Sequence, residues 1–131
     1  MPRRQATCTC GQLSATTGAE PGRISICHCL ACQRRTGSVF GAQARFPADA
    51  VAIHGGSTTF VRVGDSGGRA RLHFCPVCGD TVYYVLEAQP EVVAIPIGAF
   101  ADPGFPPPFV SVYEERKHGW VGLPEEIEHH H

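Results

Sequence analysis

The chain has 131 residues, 43% hydrophobic and 18% charged, with a formal net charge of −1. That length suits one domain with its own core, and the near-zero charge removes the global basic field that nucleic acid or an anionic membrane surface would attract. The longest apolar run, Val92 to Phe100, is broken by Pro96 and Gly98 and is too short to span a bilayer.

The segment Met1-Pro2-Arg3-Arg4-Gln5 is basic, but no apolar stretch follows it, so no secretory leader is expected. Gln5 to Thr17 reads as one strand, with Cys8 and Cys10 on the same face of the pleat. Ala19-Glu20-Pro21-Gly22 is a turn, and Arg23 to Ile26 is a short strand that delivers Cys27. Leu30 to Thr36 fits one or two helical turns closed by Gly37 as a left-handed cap. Strands are expected over Ser38 to Phe46, Ala50 to His54 and Thr58 to Val63. Gly64-Asp65-Ser66-Gly67-Gly68 then turns the chain into Arg69 to Phe74. There Arg69, Arg71 and His73 alternate with Ala70, Leu72 and Phe74. Thr81 to Leu86, Val92 to Ile97 and Val110 to Glu114 complete the set, after a proline-rich loop from Asp102 to Pro108.

Short strands at roughly 8–12-residue spacing with very little helix predict a mainly β fold of small antiparallel sheets, a sandwich or a partly open barrel. Residues 1–127 form one domain in this reading. Glu128-His129-His130-His131 reads as an expression-tag remnant. An edge strand of such a sheet would offer a pairing surface for a homodimer.

The seven cysteines fall into three clusters: Cys8-Thr9-Cys10-Gly11, Cys27-His28-Cys29-Leu30-Ala31-Cys32 and Cys75-Pro76-Val77-Cys78-Gly79. An odd count argues against a secreted disulfide framework and for thiolates held by metal in a reducing cytoplasm. Four thiolates close a tetrahedral zinc site, whereas three leave a position open. Cys75 and Cys78 form a knuckle that needs two more ligands, and Cys8 and Cys10 supply them. Cys27, Cys29 and Cys32 are then left for a second, open zinc. Pairing the knuckle with two of the central three would strand at least one thiol. His28 lies between two ligands, so its ring would strain to reach the same ion. His54 and His73 read as ordinary strand residues.

Zn²⁺ with three thiolates carries a net −1, which makes it a weak generator of hydroxide and a better dock for a soft ligand such as a substrate thiolate. A bound thiolate raises the charge to −2, so a nearby cation helps. Arg34 and Arg35 follow directly on the helical turn.

These motifs resemble the glutathione-dependent formaldehyde-activating enzyme family, also named for centromere protein V. The matching residues are Cys8-x-Cys10-Gly11, then Cys27-His28-Cys29-x-x-Cys32-x-Arg34-x-Thr36-Gly37, then Phe74-Cys75-x-x-Cys78-Gly79. Ile97-Gly98-Ala99-Phe100-Ala101-Asp102-Pro103 and Trp120 are softer matches. The resemblance implies an Mss4-like fold, a structural zinc on Cys8, Cys10, Cys75 and Cys78, and an active-site zinc on Cys27, Cys29 and Cys32. It also implies a carbon–sulfur lyase that joins glutathione to formaldehyde as S-hydroxymethylglutathione, with Cys27, Cys29, Cys32 and Arg34 as the catalytic set and a small thiol as partner. Two other readings stand beside it. One is a zinc-stabilised protein-binding module that docks through Pro103-Gly104-Phe105-Pro106-Pro107-Pro108. The other is a thiol redox sensor that loses zinc reversibly under mild oxidant.

Overall fold

The computed structural model describes residues 3–64 and 66–131. Met1 and Pro2 of the basic start, and Asp65 of the expected glycine-rich turn, lie outside them. Among the described residues, eleven strands form two sheets. Strands β1 (Arg4–Thr7), β2 (Ser14–Thr17) and β5 (Val51–His54) make the smaller one, in the order β1-β2-β5. The larger contains β3 (Arg23–Cys27), β4 (Gly41–Pro47), β6 (Thr58–Val63), β7 (Arg69–Phe74), β8 (Thr81–Leu86), β9 (Val92–Pro96), β10 (Val110–Val112) and β11 (Glu128–His129). Its order is β11-β10-β3-β4-β9-β8-β7-β6, open at both edges. A single α-helix, α1 (Leu30–Thr36), is present among the described residues. Pairing is antiparallel except at β10, which runs parallel to both β3 and β11.

Where alternation was strong, the expected strands stand as read: β6, β7 and β8 have the anticipated bounds. Helix α1 ends as expected on Gly37, at φ 72°, whose N–H returns to the Gln33 carbonyl at 2.9 Å. Gln5 to Thr17 is not one strand but a hairpin. Gly11, at φ 85°, reverses the chain, and the Gly11 N–H closes on the Cys8 carbonyl at 3.1 Å. Cys8 and Cys10 therefore sit at the hairpin's tip and not on a pleated face. β10 stops at Val112 because Tyr113 takes a left-handed conformation, φ 57°.

The main core fills the space between the sheets. Ala6, Leu13 and Ala15 pack from the small sheet against Ile24, Ala44, Phe46, Val82, Val93 and Ile95 of the large one. The other face of the large sheet carries a smaller cluster, Ala70, Leu72, Tyr84 and Ala94. A β-bulge lets β8 serve both faces. His73 pairs with Tyr83 and Phe74 with Thr81, which leaves Val82 without an opposite residue. Val82 and its neighbour Tyr83 thus both face the main core, while Tyr84 and Leu86 reach the opposite side. The proline-rich segment is anchored by Phe105, which stacks on Phe100 at 4.8 Å beneath the Arg4 guanidinium.

Candidate metal centres

Two hairpin tips build the first thiol cluster. In the tip between β7 and β8, the Cys75 N–H donates to the Asp80 carbonyl and the Gly79 N–H to the Cys75 carbonyl, both at 2.9 Å. Gly79 takes φ 86°, as Gly11 does in the other tip. This folding turns main-chain donors onto sulfur: Val77 and Cys78 donate to Cys75 Sγ at 3.4 and 3.5 Å, and Leu13 donates to Cys8 Sγ at 3.3 Å. Gln12 Nε2 adds a side-chain bond to Cys75 Sγ at 3.2 Å. Burial pushes the Cys75 thiol up, but the donors from Cys78, Gln12 and Val77 outweigh it and bring it down to about 6.

Cys8, Cys10, Cys75 and Cys78 place their sulfurs within 4.8 Å of one another. Cys10 Sγ lies 3.7 Å from Cys8 Sγ and 3.6 Å from Cys75 Sγ. Sulfurs about 2.3 Å from a tetrahedral zinc ion lie about 3.8 Å apart, so the donor set fits such an ion. It is not disulfide geometry, and all seven cysteines are free.

The second cluster is Cys27, Cys29 and Cys32, all buried and again within 4.8 Å. β3 delivers Cys27, and α1 delivers the other two. Cys29 is the helix N-cap, and its sulfur accepts the Cys32 N–H at 3.3 Å. Gln33 holds the helix down by donating to the His28 carbonyl at 2.8 Å. Gly41, opposite Cys27 in the sheet, leaves the cluster its space: a Cβ there would lie 2.9 Å from Arg35 Nη2 and 3.6 Å from Cys32 Sγ. No histidine joins this set among the described residues. The buried His28 ring turns to Ser111 Oγ at 3.0 Å. His54 is exposed, and His73 stacks on Tyr83.

The surroundings of the second cluster are cationic. Arg62 Nη1 approaches Cys32 Sγ at 3.9 Å. The Arg35 guanidinium lies 5.7 Å from the centre of the Tyr84 ring. Sharing of the Cys27 and Cys29 thiol protons, helped by the Arg35 and Arg62 charges, holds Cys32 far below the ordinary thiol range despite burial. The same sharing drives Cys27 far above it. Burial works against the Arg62 charge, and the Cys32 thiolate more than restores it. Of the two cations expected from the sequence, Arg35 reaches the cluster and acts on Cys32, whereas Arg34 is exposed on α1 and does not line the adjoining cavity.

That cavity, about 240 Å³, opens from the three thiols across the second face of the large sheet. Besides Cys27, Cys29 and Cys32 its walls include Arg23, Ser25, Gln43, Arg45, Arg62 and Tyr84. Burial pushes the Tyr84 hydroxyl up to about 12, so it stays protonated. Arg62, Arg23, Arg45 and Tyr84 were not singled out from the sequence. They come from β6, β3, β4 and β8, and only the sheet order brings them to one wall.

A family model described as glutathione-dependent formaldehyde-activating enzyme matches residues 3–116. No curated protein matches the chain. A crystal structure of a Rhodobacter sphaeroides protein shares the fold with a TM-score of 0.58 at 21% identity, over 79% of this chain and 91% of that one.

Proposed function

Since the chain belongs to the glutathione-dependent formaldehyde-activating enzyme family, we propose that it is a zinc-dependent carbon–sulfur lyase that forms and breaks the adduct of a thiol with formaldehyde. The observation that carries this reading is the three-thiol cluster, complete without a fourth ligand, facing a cavity walled by arginines. In this reading Cys8, Cys10, Cys75 and Cys78 would hold a structural zinc, and Cys27, Cys29 and Cys32 would hold a second one. Zinc there supplies Lewis acidity that lowers the pKa of a bound thiol, so that a thiolate is at hand near neutral pH.

The chain's own residues do the rest. Three thiolates and a divalent ion sum to −1, and an incoming thiolate takes the sum to −2. Arg62 and Arg35 flank Cys32 and offset that charge. The wall of the cavity excludes water from one side of the sulfur, which strengthens each charge interaction. In the chemical step the thiolate sulfur forms a bond to the carbonyl carbon of formaldehyde. The π pair of the carbonyl moves onto oxygen, which takes up one proton, so thiol plus formaldehyde becomes the S-hydroxymethyl thioether. Tyr84, protonated and on the same wall, donates a hydrogen bond to the oxygen as its charge develops. The seven free thiols suit a reducing cytoplasm. No helix of the described residues is long and apolar enough to cross a membrane.

The test is exchange spectroscopy. Zinc-loaded protein is expected to speed interconversion of glutathione, formaldehyde and S-hydroxymethylglutathione, read as exchange cross-peaks in ¹³C NMR. Exchange no faster than in buffer, with two zinc ions per chain verified, overturns the reading and leaves the zinc-stabilised binding module in its place.

A further inference from the structure

Positive φ is met by glycine at most of the described positions that require it. Two residues break that pattern, Ala101 at 49° and Tyr113 at 57°. A bulky side chain at such a φ is costly, and the conformation persists only where surrounding contacts impose it. Ala101 does not line the cavity beside the three thiols, whereas Tyr113 does.

The contacts that impose it come from the segment that carries the second thiol cluster. Val112 pairs with Cys27 in parallel register, and the His28 N–H donates to the Val112 carbonyl at 3.1 Å. On the other side, the Arg116 N–H donates to the Tyr113 carbonyl at 3.0 Å. Gln33 Nε2 donates to the Arg116 carbonyl at 3.3 Å and to the His28 carbonyl at 2.8 Å. The backbone on both sides of Tyr113 is therefore tied to residues between and just after the thiols.

This tethered reversal packs the half-buried Tyr113 side chain against Cys27, Cys29 and Cys32. Ala31 and Val112 pack there too, but both are smaller. Gly41, opposite Cys27, adds no side chain of its own. With about 240 Å³ of space beside the thiols, one aromatic ring decides how much of it a ligand can use.

We infer that Tyr113 is a specificity-determining residue of the second centre, limiting the bulk that a ligand carries next to the atom that docks at the three thiols. A thiol whose sulfur sits on an unbranched carbon fits beside the ring. One whose sulfur sits on a fully branched carbon does not. This rests on the thiol-docking reading of the second cluster and adds to it a limit of size, whatever the chemistry farther along the ligand.

The experiment uses protein carrying cobalt(II) in the second site and follows its visible bands during titration with two isomers, 1-butanethiol and 2-methyl-2-propanethiol. The parent is expected to bind the straight-chain isomer about tenfold or more tightly than the branched one. Tyr113→Phe keeps the ring and should keep that ratio. Tyr113→Gly and Tyr113→Asn remove the ring while suiting the left-handed backbone, and the ratio should fall to about threefold or less. Any intrinsic difference between the isomers is common to all four proteins and cancels in the comparison. A ratio unchanged in both small variants overturns the inference. A ratio lost in Tyr113→Phe as well assigns the effect to the hydroxyl and overturns the size limit. Loss of the fold in both small variants shows Tyr113 to be structural, and that too overturns the inference.

A second pair of probes needs no thiol. Imidazole and 2-methylimidazole differ by one methyl group beside the donor nitrogen. If neither thiol moves the cobalt bands, the thiol-docking premise fails, and the imidazole pair then reads Tyr113 alone. Discrimination in the parent and in Tyr113→Phe, lost in Tyr113→Gly and Tyr113→Asn, upholds the size limit. Equal discrimination in all four proteins, or no response to either pair, overturns it.

Discussion

Thr9 gives two hydrogen bonds to a single carboxylate oxygen of Asp80: its backbone N–H at 2.7 Å and its hydroxyl at 2.5 Å. Thr9 lies between two cysteines of one hairpin tip, and Asp80 follows the second tip. The pair clasps the halves of the four-thiol cluster together from outside the sulfurs. Those two donors, the hydroxyl foremost, hold the Asp80 carboxyl below its usual range.

Asp80→Asn is expected to loosen this clasp without removing a ligand. The bonds are exposed, so the cost in stability should be about 1 kcal/mol, below that of a buried charged hydrogen bond. Chelator-driven zinc release from the four-thiol cluster should accelerate while release from the three-thiol cluster stays unchanged. A colorimetric zinc assay with stopped-flow mixing resolves the two phases.

The two clusters should respond differently to loss of a ligand. Cys75→Ser removes a fully buried sulfur that joins the sheets, and the folded state should be lost or strongly destabilised. Cys32→Ser should keep the circular dichroism spectrum and lower the zinc-to-chain ratio from about two to about one. A Cys32→Ser protein that unfolds would show that the second cluster is structural.

Gly41→Ala tests the space beside the second cluster. The added methyl would meet Arg35 Nη2, the mobile end of a side chain, and Cys32 itself. The fold should therefore survive at a cost of about 1 kcal/mol. Affinity for the second metal should fall by about tenfold or more, read by competition with a chromophoric chelator.

At Gly55 no such accommodation exists. Its φ is +93°, and a Cβ would stand 1.7 Å from the Gln12 carbonyl oxygen. Backbone must move, and with it the Gln12 side chain, which brackets Gly56 through two hydrogen bonds while donating to Cys75 Sγ. Gly55→Ala is expected to cost about 3 kcal/mol or more and to impair zinc retention in the four-thiol cluster. Urea denaturation measures the first effect and metal analysis after gel filtration the second.

The parts of this architecture that sequence could reveal are those encoded over a few residues. Cysteine spacing exposes both thiol clusters, because convergence on one point constrains near neighbours. Strong alternation does the same for β6, β7 and β8. Gly37 marks the end of α1 because the left-handed cap is a local demand. The hairpin inside Gln5–Thr17 is not legible in the sequence because one glycine at φ 85° outweighs a run compatible with a strand. Adjacency in the chain points to Arg34 and Arg35 as the cations of the second site, and of these only Arg35 acts on Cys32. The structure brings Arg62 to Cys32 from β6, at the far edge of the large sheet order. Likewise the Arg23 and Arg45 pair depends on the register of β3 with β4, which no short segment records.

The extra residue at Val82 resets which face each later position of β8 serves. Val82, Tyr83 and Val85 answer to the packing between sheets, and Tyr84 and Leu86 answer to the cavity. Deleting that one residue would exchange the audiences of every position beyond it, carrying the Tyr84 hydroxyl off the cavity wall. Substitutions in β8 should thus be tolerated one at a time according to the face each serves, whereas a change of length by one residue should not be tolerated at all. Evolution of substrate preference in this scaffold can proceed through Tyr84 and Leu86 while Val82, Tyr83 and Val85 hold the sheets in place.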